Sequence, residues 1–160
     1  MKISVIAVGN IKDKFFKEAI DEYTKRVSRF CDMEIIETPQ EKIPDNAGDA
    51  IEKQIKSKEI THVRKRINPS STVIALDLKG SKLDSVEFAQ KLDGYMTAGS
   101  SHLTFIIGGS LGIDNTFLKN ETHLRFSMSD LTFTHRLARL ILAEQLYRAF
   151  KIIKGETYHK

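Results

Sequence analysis

Three short apolar runs read as buried strands, the second of them apolar on both faces, and they constrain the architecture more than anything else. They are Ile3-Ser4-Val5-Ile6-Ala7-Val8, Thr72-Val73-Ile74-Ala75-Leu76 and Leu103-Thr104-Phe105-Ile106-Ile107. A strand buried on both sides needs helices above and below it, which is the situation of a parallel sheet. The intervening segments supply those helices. Phe16, Ala19, Ile20, Tyr23, Val27 and Phe30 recur at helical spacing after Asp13, a candidate cap. Asp49 to Arg66 is a weaker helix pattern with Ile51, Ile55 and Val63 as its main apolar anchors. Asp84 and Glu87 have the spacing of a capping box before the stripe Phe88, Ala89, Leu92, Tyr95 and Met96.

Met33 to Thr38, stopped by Pro39, adds another strand, and His123 to Met128 a fifth. A short helix is expected at Asn115 to Lys119, and Gly80 is expected to turn the chain after a central third strand. The whole therefore reads as α/β, a mainly parallel sheet with helices on both faces, in one domain of 160 residues. In such sheets ligands bind beyond the carboxyl ends of the strands. Leu76-Asp77, Gly108-Gly109 and Ser127 to Thr132 all lie just past such ends.

The last helix, about Thr134 to Ile153, differs from the others. Arg136, Arg139, Glu144, Arg148 and Lys151 form a narrow polar stripe, and apolar residues cover the rest of the circumference. One apolar face suffices to pack on a sheet, so the second implies burial against a partner subunit or within the chain's own domain. From Thr132 to Lys160 there are six Lys/Arg against two Glu, while residues 1–131 are neutral overall. That excess is either a solvated helix face or a local basic surface for a polyanion such as RNA.

A lone cysteine, Cys31, excludes a disulfide within the chain and suits the cytoplasm. No segment approaches the roughly 20 apolar residues of a membrane helix, and Lys12, Asp13 and Lys14 stand where a signal peptide would be cleaved.

The chemistry-bearing residues narrow the field further. Gly108-Gly109-Ser110-Leu111-Gly112 has neither the dinucleotide fingerprint nor a phosphate-loop lysine. It is a tight turn, or a bare backbone against which a flat ligand lies. Followed by the hydroxyl-rich loop Ser127-Met128-Ser129-Asp130-Leu131-Thr132, it has the make-up of a nucleotide-like cofactor pocket. The five histidines show no metal-ligand spacing, so no metal site is expected. Asp77, Asp114 and Asp130 are helix caps or acid–base groups. His135, at the start of the last helix, either serves a substrate or packs. The closing Tyr158-His159-Lys160 is a frayed end, or a stacking and charged contact for a nucleobase.

Taken in order, Phe105 to Gly112, Ser127 to His135, Ala143-Glu144-Gln145-Leu146-Tyr147-Arg148-Ala149 and the terminal Tyr158-His159 resemble the ribosomal RNA large subunit methyltransferase H family of the SPOUT class. The resemblance covers essentially the whole chain. It implies a trefoil knot within about residues 70–160, S-adenosylmethionine as cofactor, and a homodimer packed partly through its last helix. It further implies methylation of N3 of a pseudouridine in large-subunit (23S) ribosomal RNA on the assembled 70S ribosome, with no role for DNA or membrane.

Carried over by position, Leu76, Gly108 and the run Ser127, Met128, Ser129, Asp130, Leu131 and Thr132 would hold the cofactor. The tail Tyr158, His159 and Lys160 would complete the RNA site of the opposite subunit. Apart from the resemblance, position alone suggests that Arg136 and Lys160 steady the anionic base or its phosphate and that His159, or secondarily His135, helps N3 lose its proton. The family commonly ends in Arg where Lys160 stands, and Lys keeps the charge but not the bidentate fork. Two other readings stay open: a flavodoxin-like nucleotide-binding module, and a ribosome-associated RNA-binding factor without catalysis.

Overall fold

The computed structural model describes residues 1–158. The elements run β1 (Lys2–Val8), α1 (Lys14–Val27), β2 (Asp32–Thr38), α2 (Asp49–Arg64) and β3 (Thr72–Lys82). Next come α3 (Ser85–Thr97), β4 (His102–Ile107), α4 (Asn115–Asn120), β5 (Leu124–Ser127) and α5 (His135–Ile153). All five strands pair in parallel in the order β2-β1-β4-β3-β5.

Strand alternation divides the core in two. Ile3, Val5 and Ala7 of β1, Ile74 of β3 and Leu103, Phe105 and Ile107 of β4 face α1, α3 and α5. Ile6 and Val8, Val73 and Ala75, and Ile106 face the opposite way, against α2 and α4. Helices therefore cover both faces, as the apolar runs require. The sheet order departs from the 2-1-3-4-5 of flavodoxin-like proteins by exchanging the third and fourth strands, which removes that reading. β3 is an interior strand, as expected, paired with β4 on one side and β5 on the other, and β4 occupies the middle of the sheet.

The local signals hold where they are short-range. Asp84 accepts from the backbone of Val86 and Glu87 while Glu87 reaches back to Asp84 N–H at 2.8 Å, a complete capping box. Thr134 caps α5. Asp13 does stand at the N-cap of α1, but its carboxylate makes no cap bond and instead accepts from Arg136 Nη1 at 2.5 Å. Ile51 is exposed, and α2 buries Ile55, Glu59, Ile60 and Val63 instead.

Two expectations are overturned by contacts distant in sequence. Gly80 does not turn the chain. β3 runs on to Lys82, pairing with β5 first at Ile74 to Leu76 and again at Ser81 and Lys82, with residues 77–80 bulging between. A β-carbon on Gly80 would sit 2.5 Å from the Arg125 carbonyl carbon, so only glycine lets the two backbones pass this closely.

Arg139 is not on the solvent stripe of α5. It is 2% exposed, among the largest fully buried side chains of the protein. The remaining breadth of α5 is met in part by α1 and α3, which flank it. Leu137, Leu140 and Ile141 stay half-buried. Among the described residues no helix is long and apolar enough to cross a membrane.

Candidate functional site

The carboxyl ends of β3, β4 and β5 and the start of α5 open onto one cleft of about 890 Å³. Leu76, Gly108, Ser127, Met128, Ser129, Leu131, Thr132, His135 and Arg136 all line it. Asp130 does not line it. Its carboxylate turns to Lys82 Nζ at 2.5 Å, tying the loop after β5 to the end of β3. Tyr158 is elsewhere, packed edge-on against Tyr147 with its hydroxyl 3.2 Å from Glu144 Oε1 and the Arg148 guanidinium over its ring. Burial and the neighbouring Tyr23 hydroxyl push its phenol up to about 12. His159 and Lys160 lie outside the described residues.

Each wall of the cleft has a local cause. The glycine turn is closed by Gly112 N–H donating to Gly109 O at 3.0 Å, and Gly112 adopts a φ of +83° that side chains disfavour. A β-carbon on Gly108 would come within 2.8 Å of the Gly112 backbone and the Ile113 side chain. Gly108 is thus required by the turn itself, and what it offers a ligand is the shape of that turn. The loop after β5 is held by its own hydroxyls: Ser127 Oγ donates to Ser129 O, and Ser129 Oγ accepts from Leu131 N–H. Leu131 is left 70% exposed and Leu78 52%, two apolar side chains that both line the cleft.

The three aspartates near strand ends have structural partners. Asp77 Oδ2 takes both Nε and Nη2 of Arg125, at 2.8 and 2.5 Å, and so bridges β3 and β5 beside the bulge. Asp114 caps α4 through Phe117 N–H. Asp130 pairs with Lys82, as above.

Behind His135, at the end of β1, lie groups that local sequence did not announce. Arg139 Nη1 donates to Glu37 Oε1 at 2.6 Å, and Nη2 donates to Gly9 O at 2.5 Å and faces His135 Nδ1 at 3.2 Å. Glu37 also accepts from Ile11 N–H. Gln40 Nε2 donates to Ser110 Oγ at 3.2 Å, linking the β2 end to the glycine turn. Gln40 was findable, because it follows Thr38 just beyond a strand end. Arg139 and Glu37 carried no such signal. His135 is held below the ordinary imidazole value by burial, then by the charges of Arg139 and Arg136.

The cleft is lined by backbone, hydroxyls and apolar side chains, together with the charged Lys56, Asp77, Lys79, Arg125 and Arg136. Among the described residues no group of three or more His, Cys, Asp or Glu is placed to hold a metal ion.

The comparisons with known proteins agree with this geometry. A family model described as "Predicted SPOUT methyltransferase" matches residues 1–159. The chain is 52% identical to the ribosomal RNA large subunit methyltransferase H of Acetivibrio thermocellus, over all of both chains. It is 51% identical to the protein of the same description from Ruminiclostridium cellulolyticum, and 48% to one from Clostridium perfringens, again over both full lengths. Among solved structures, a probable methylase family protein from Haemophilus influenzae aligns with a TM-score of 0.53 at 13% identity, covering 96% of this chain and 66% of that one. That likeness speaks for the fold alone. The chain belongs to the SPOUT methyltransferase family, together with the ribosomal RNA large subunit methyltransferases H.

Proposed function

We propose that this protein transfers a methyl group from S-adenosylmethionine to N3 of a pseudouridine in large-subunit ribosomal RNA, acting in the cytoplasm on the assembled ribosome. One observation carries the reading. In a chain about half identical, end to end, to proteins described as ribosomal RNA large subunit methyltransferases H, the ends of three strands and the first turn of the last helix converge on a single cleft.

The residues fit that cofactor by the chemistry of their groups. Ser127, Ser129 and Thr132 bring hydroxyls, Leu76, Met128 and Leu131 bring apolar surface, and the glycine turn brings backbone groups. Bound there, S-adenosylmethionine supplies an electrophilic methyl carbon on a sulfonium. The protein's part is alignment, exclusion of water and removal of the N3 proton from the acceptor ring. Arg136, exposed at the lip, is a cation available to a phosphate or to the anionic ring once it leaves Asp13. Tyr158, His159 and Lys160 belong to the same proposal as the RNA-facing tail, acting on the site of a second subunit.

The homodimer rests on the half-buried Leu137, Leu140 and Ile141 of α5 and on the exposed Leu78 and Leu131 at the cleft mouth. A trefoil knot within about residues 70–160 belongs to the same proposal and rests on membership of the family.

The test is transfer of a labelled methyl group to ribosomes purified from cells lacking the modification. One methyl per large subunit, at N3 of a pseudouridine, is the expected result. Tight ribosome binding without transfer, unaffected by S-adenosylmethionine, would instead establish a non-catalytic factor. A Thr132→Trp variant, which places an indole at the cleft wall from an exposed position, is expected to abolish cofactor binding measured by calorimetry while leaving the fold intact.

A further inference from the structure

The buried Arg139 points to a role for His135 that differs from proton abstraction. A guanidinium has five N–H donors and no lone pair to offer. Its Nη2 faces His135 Nδ1 at 3.2 Å, so that ring nitrogen is the acceptor and carries no proton. In a neutral ring the proton is then on Nε2. The alternative ring orientation would set a C–H against the guanidinium and forfeit the bond. Arg139 itself has no freedom to turn away, being 2% exposed and anchored on Glu37 Oε1 and Gly9 O.

The other charged groups packed around the imidazole are Arg136 on the same helix, the Asp13 it pairs with at the start of α1, and Glu37 at the end of β2. Two of the nearby cations, Arg136 and Arg139, disfavour a second proton on the ring. His135 lines the cleft, and its Nε2 has no hydrogen-bond partner among the described residues.

Position within the cleft says what this donor would meet. The groups assigned to the cofactor project from β3, β4 and β5. His135 instead lies against β1, with its Cε1 3.3 Å from where a β-carbon of Gly9 would be. Gln40, which donates to Ser110 Oγ, approaches the same point on Gly9, so His135 lies at the β1 and β2 ends of the cleft.

We propose that His135 is a fixed Nε2–H hydrogen-bond donor to a carbonyl oxygen of the acceptor nucleobase, with Arg139 as the positioning residue that sets its tautomer. The proposal rests on the methyltransferase reading above. In a uracil-type ring N3 lies between two carbonyl groups, and loss of its proton spreads negative charge onto both oxygens. A donor already aimed at one of them stabilises that anion without reorganising. His135 itself neither gains nor loses a proton. The N3 proton goes to another base, solvent hydroxide or the tail imidazole of His159. Neutral imidazole used in this way is known chemistry for enolising ketones.

Two measurements test this together. Nitrogen-15 NMR of histidine-labelled protein reads the tautomer without substrate, and single-turnover methylation of ribosomes reads the function. The expected results are an Nε2–H signature for His135 at neutral pH that becomes mixed in Arg139→Met, a rate loss of about a hundredfold in His135→Ala, and recovery to within about tenfold in His135→Gln, whose amide donates from the Nε2 position. Cofactor calorimetry on each variant checks that the cleft survives. An Nδ1–H or imidazolium signature, or a His135→Gln as slow as His135→Ala, would overturn the assignment. A wild-type protein that transfers no methyl to ribosomes would sink the parent reading and the nucleobase contact with it, whatever the tautomer.

Discussion

Glu59 Oε2 lies 3.0 Å from the point a β-carbon would occupy on Gly109, and no hydrogen-bond partner reaches that oxygen. The residue is 4% exposed, and its other oxygen accepts from Glu41 N–H at 3.0 Å. A carboxylate wedged under the glycine turn is thus half satisfied, and burial raises its pKa above the usual 4.5. For an acid raised in the folded state, the stabilising share is complete below the unfolded value and is lost as pH rises through the folded one. Glu59→Gln is therefore expected to gain about 1 kcal/mol at neutral pH and little at pH about 4. Urea unfolding at the two pH values checks it, and an equal effect at both would refute the charge argument.

His102 has the opposite consequence. It is 8% exposed, its Nε2 is 2.8 Å from Ser4 Oγ, and burial, followed by the Lys2 charge, lowers its pKa from 6.5. A lowered histidine favours the fold above the unfolded value, and that share is lost as pH falls through the folded one. Wild-type stability should decline from about pH 6.5 downward, and His102→Asn should show a shallower decline over the same window. Thermal unfolding between those limits decides it.

Two glycines with different reasons for being glycine should respond differently. Gly80 lacks space, with Arg125 and Phe126 backbone atoms 2.5 to 2.7 Å from its missing β-carbon. Gly112 has space but a φ of +83°. Gly80→Ala should part β3 from β5, cost about 3 kcal/mol and weaken cofactor binding, since Ser127 sits on the displaced strand. Gly112→Ala should cost about 1 kcal/mol. Similar losses in calorimetric unfolding would mean that the close passage at Gly80 relaxes easily.

Breaking the buried network from its charged centre should be expensive. Arg139→Met leaves Glu37 without its cation and removes the donor to Gly9 O, an expected loss of about 3 kcal/mol. Glu37→Gln, at a 38% exposed partner that water can reach, should cost about 1 kcal/mol. Denaturant midpoints of both variants, with unchanged slopes, are the measurement.

What could be read from the chain follows the range of the interactions involved. The apolar runs of β1, β3 and β4 and the Asp84–Glu87 box depend on neighbours within a few residues, and they stand where the spacing puts them. The cleft residues were legible because strand ends are where such sheets bind ligands, and Leu76, Gly108 and Ser127 mark three of them. Gly80, Arg139 and Glu59 were misread or passed over for one reason. Each is explained by a single contact more than 30 residues away, to Arg125, to Glu37 and to Gly109 respectively. A polar residue on a helix, or a glycine after a strand, carries no mark of such a contact.

The order β2-β1-β4-β3-β5 also sets a timetable. β3 leaves the ribosome well before either of its neighbours, and β5, which completes the cleft, follows it by about fifty residues. Long sequence separations of this kind slow folding, because the loop must close before any contact rewards it. A nascent chain that stops short of Arg125 owns four of the five strands and an incomplete cleft, with neither the loop after β5 nor α5. The cleft is thus completed late in synthesis, after the scaffold that supports it has had time to form.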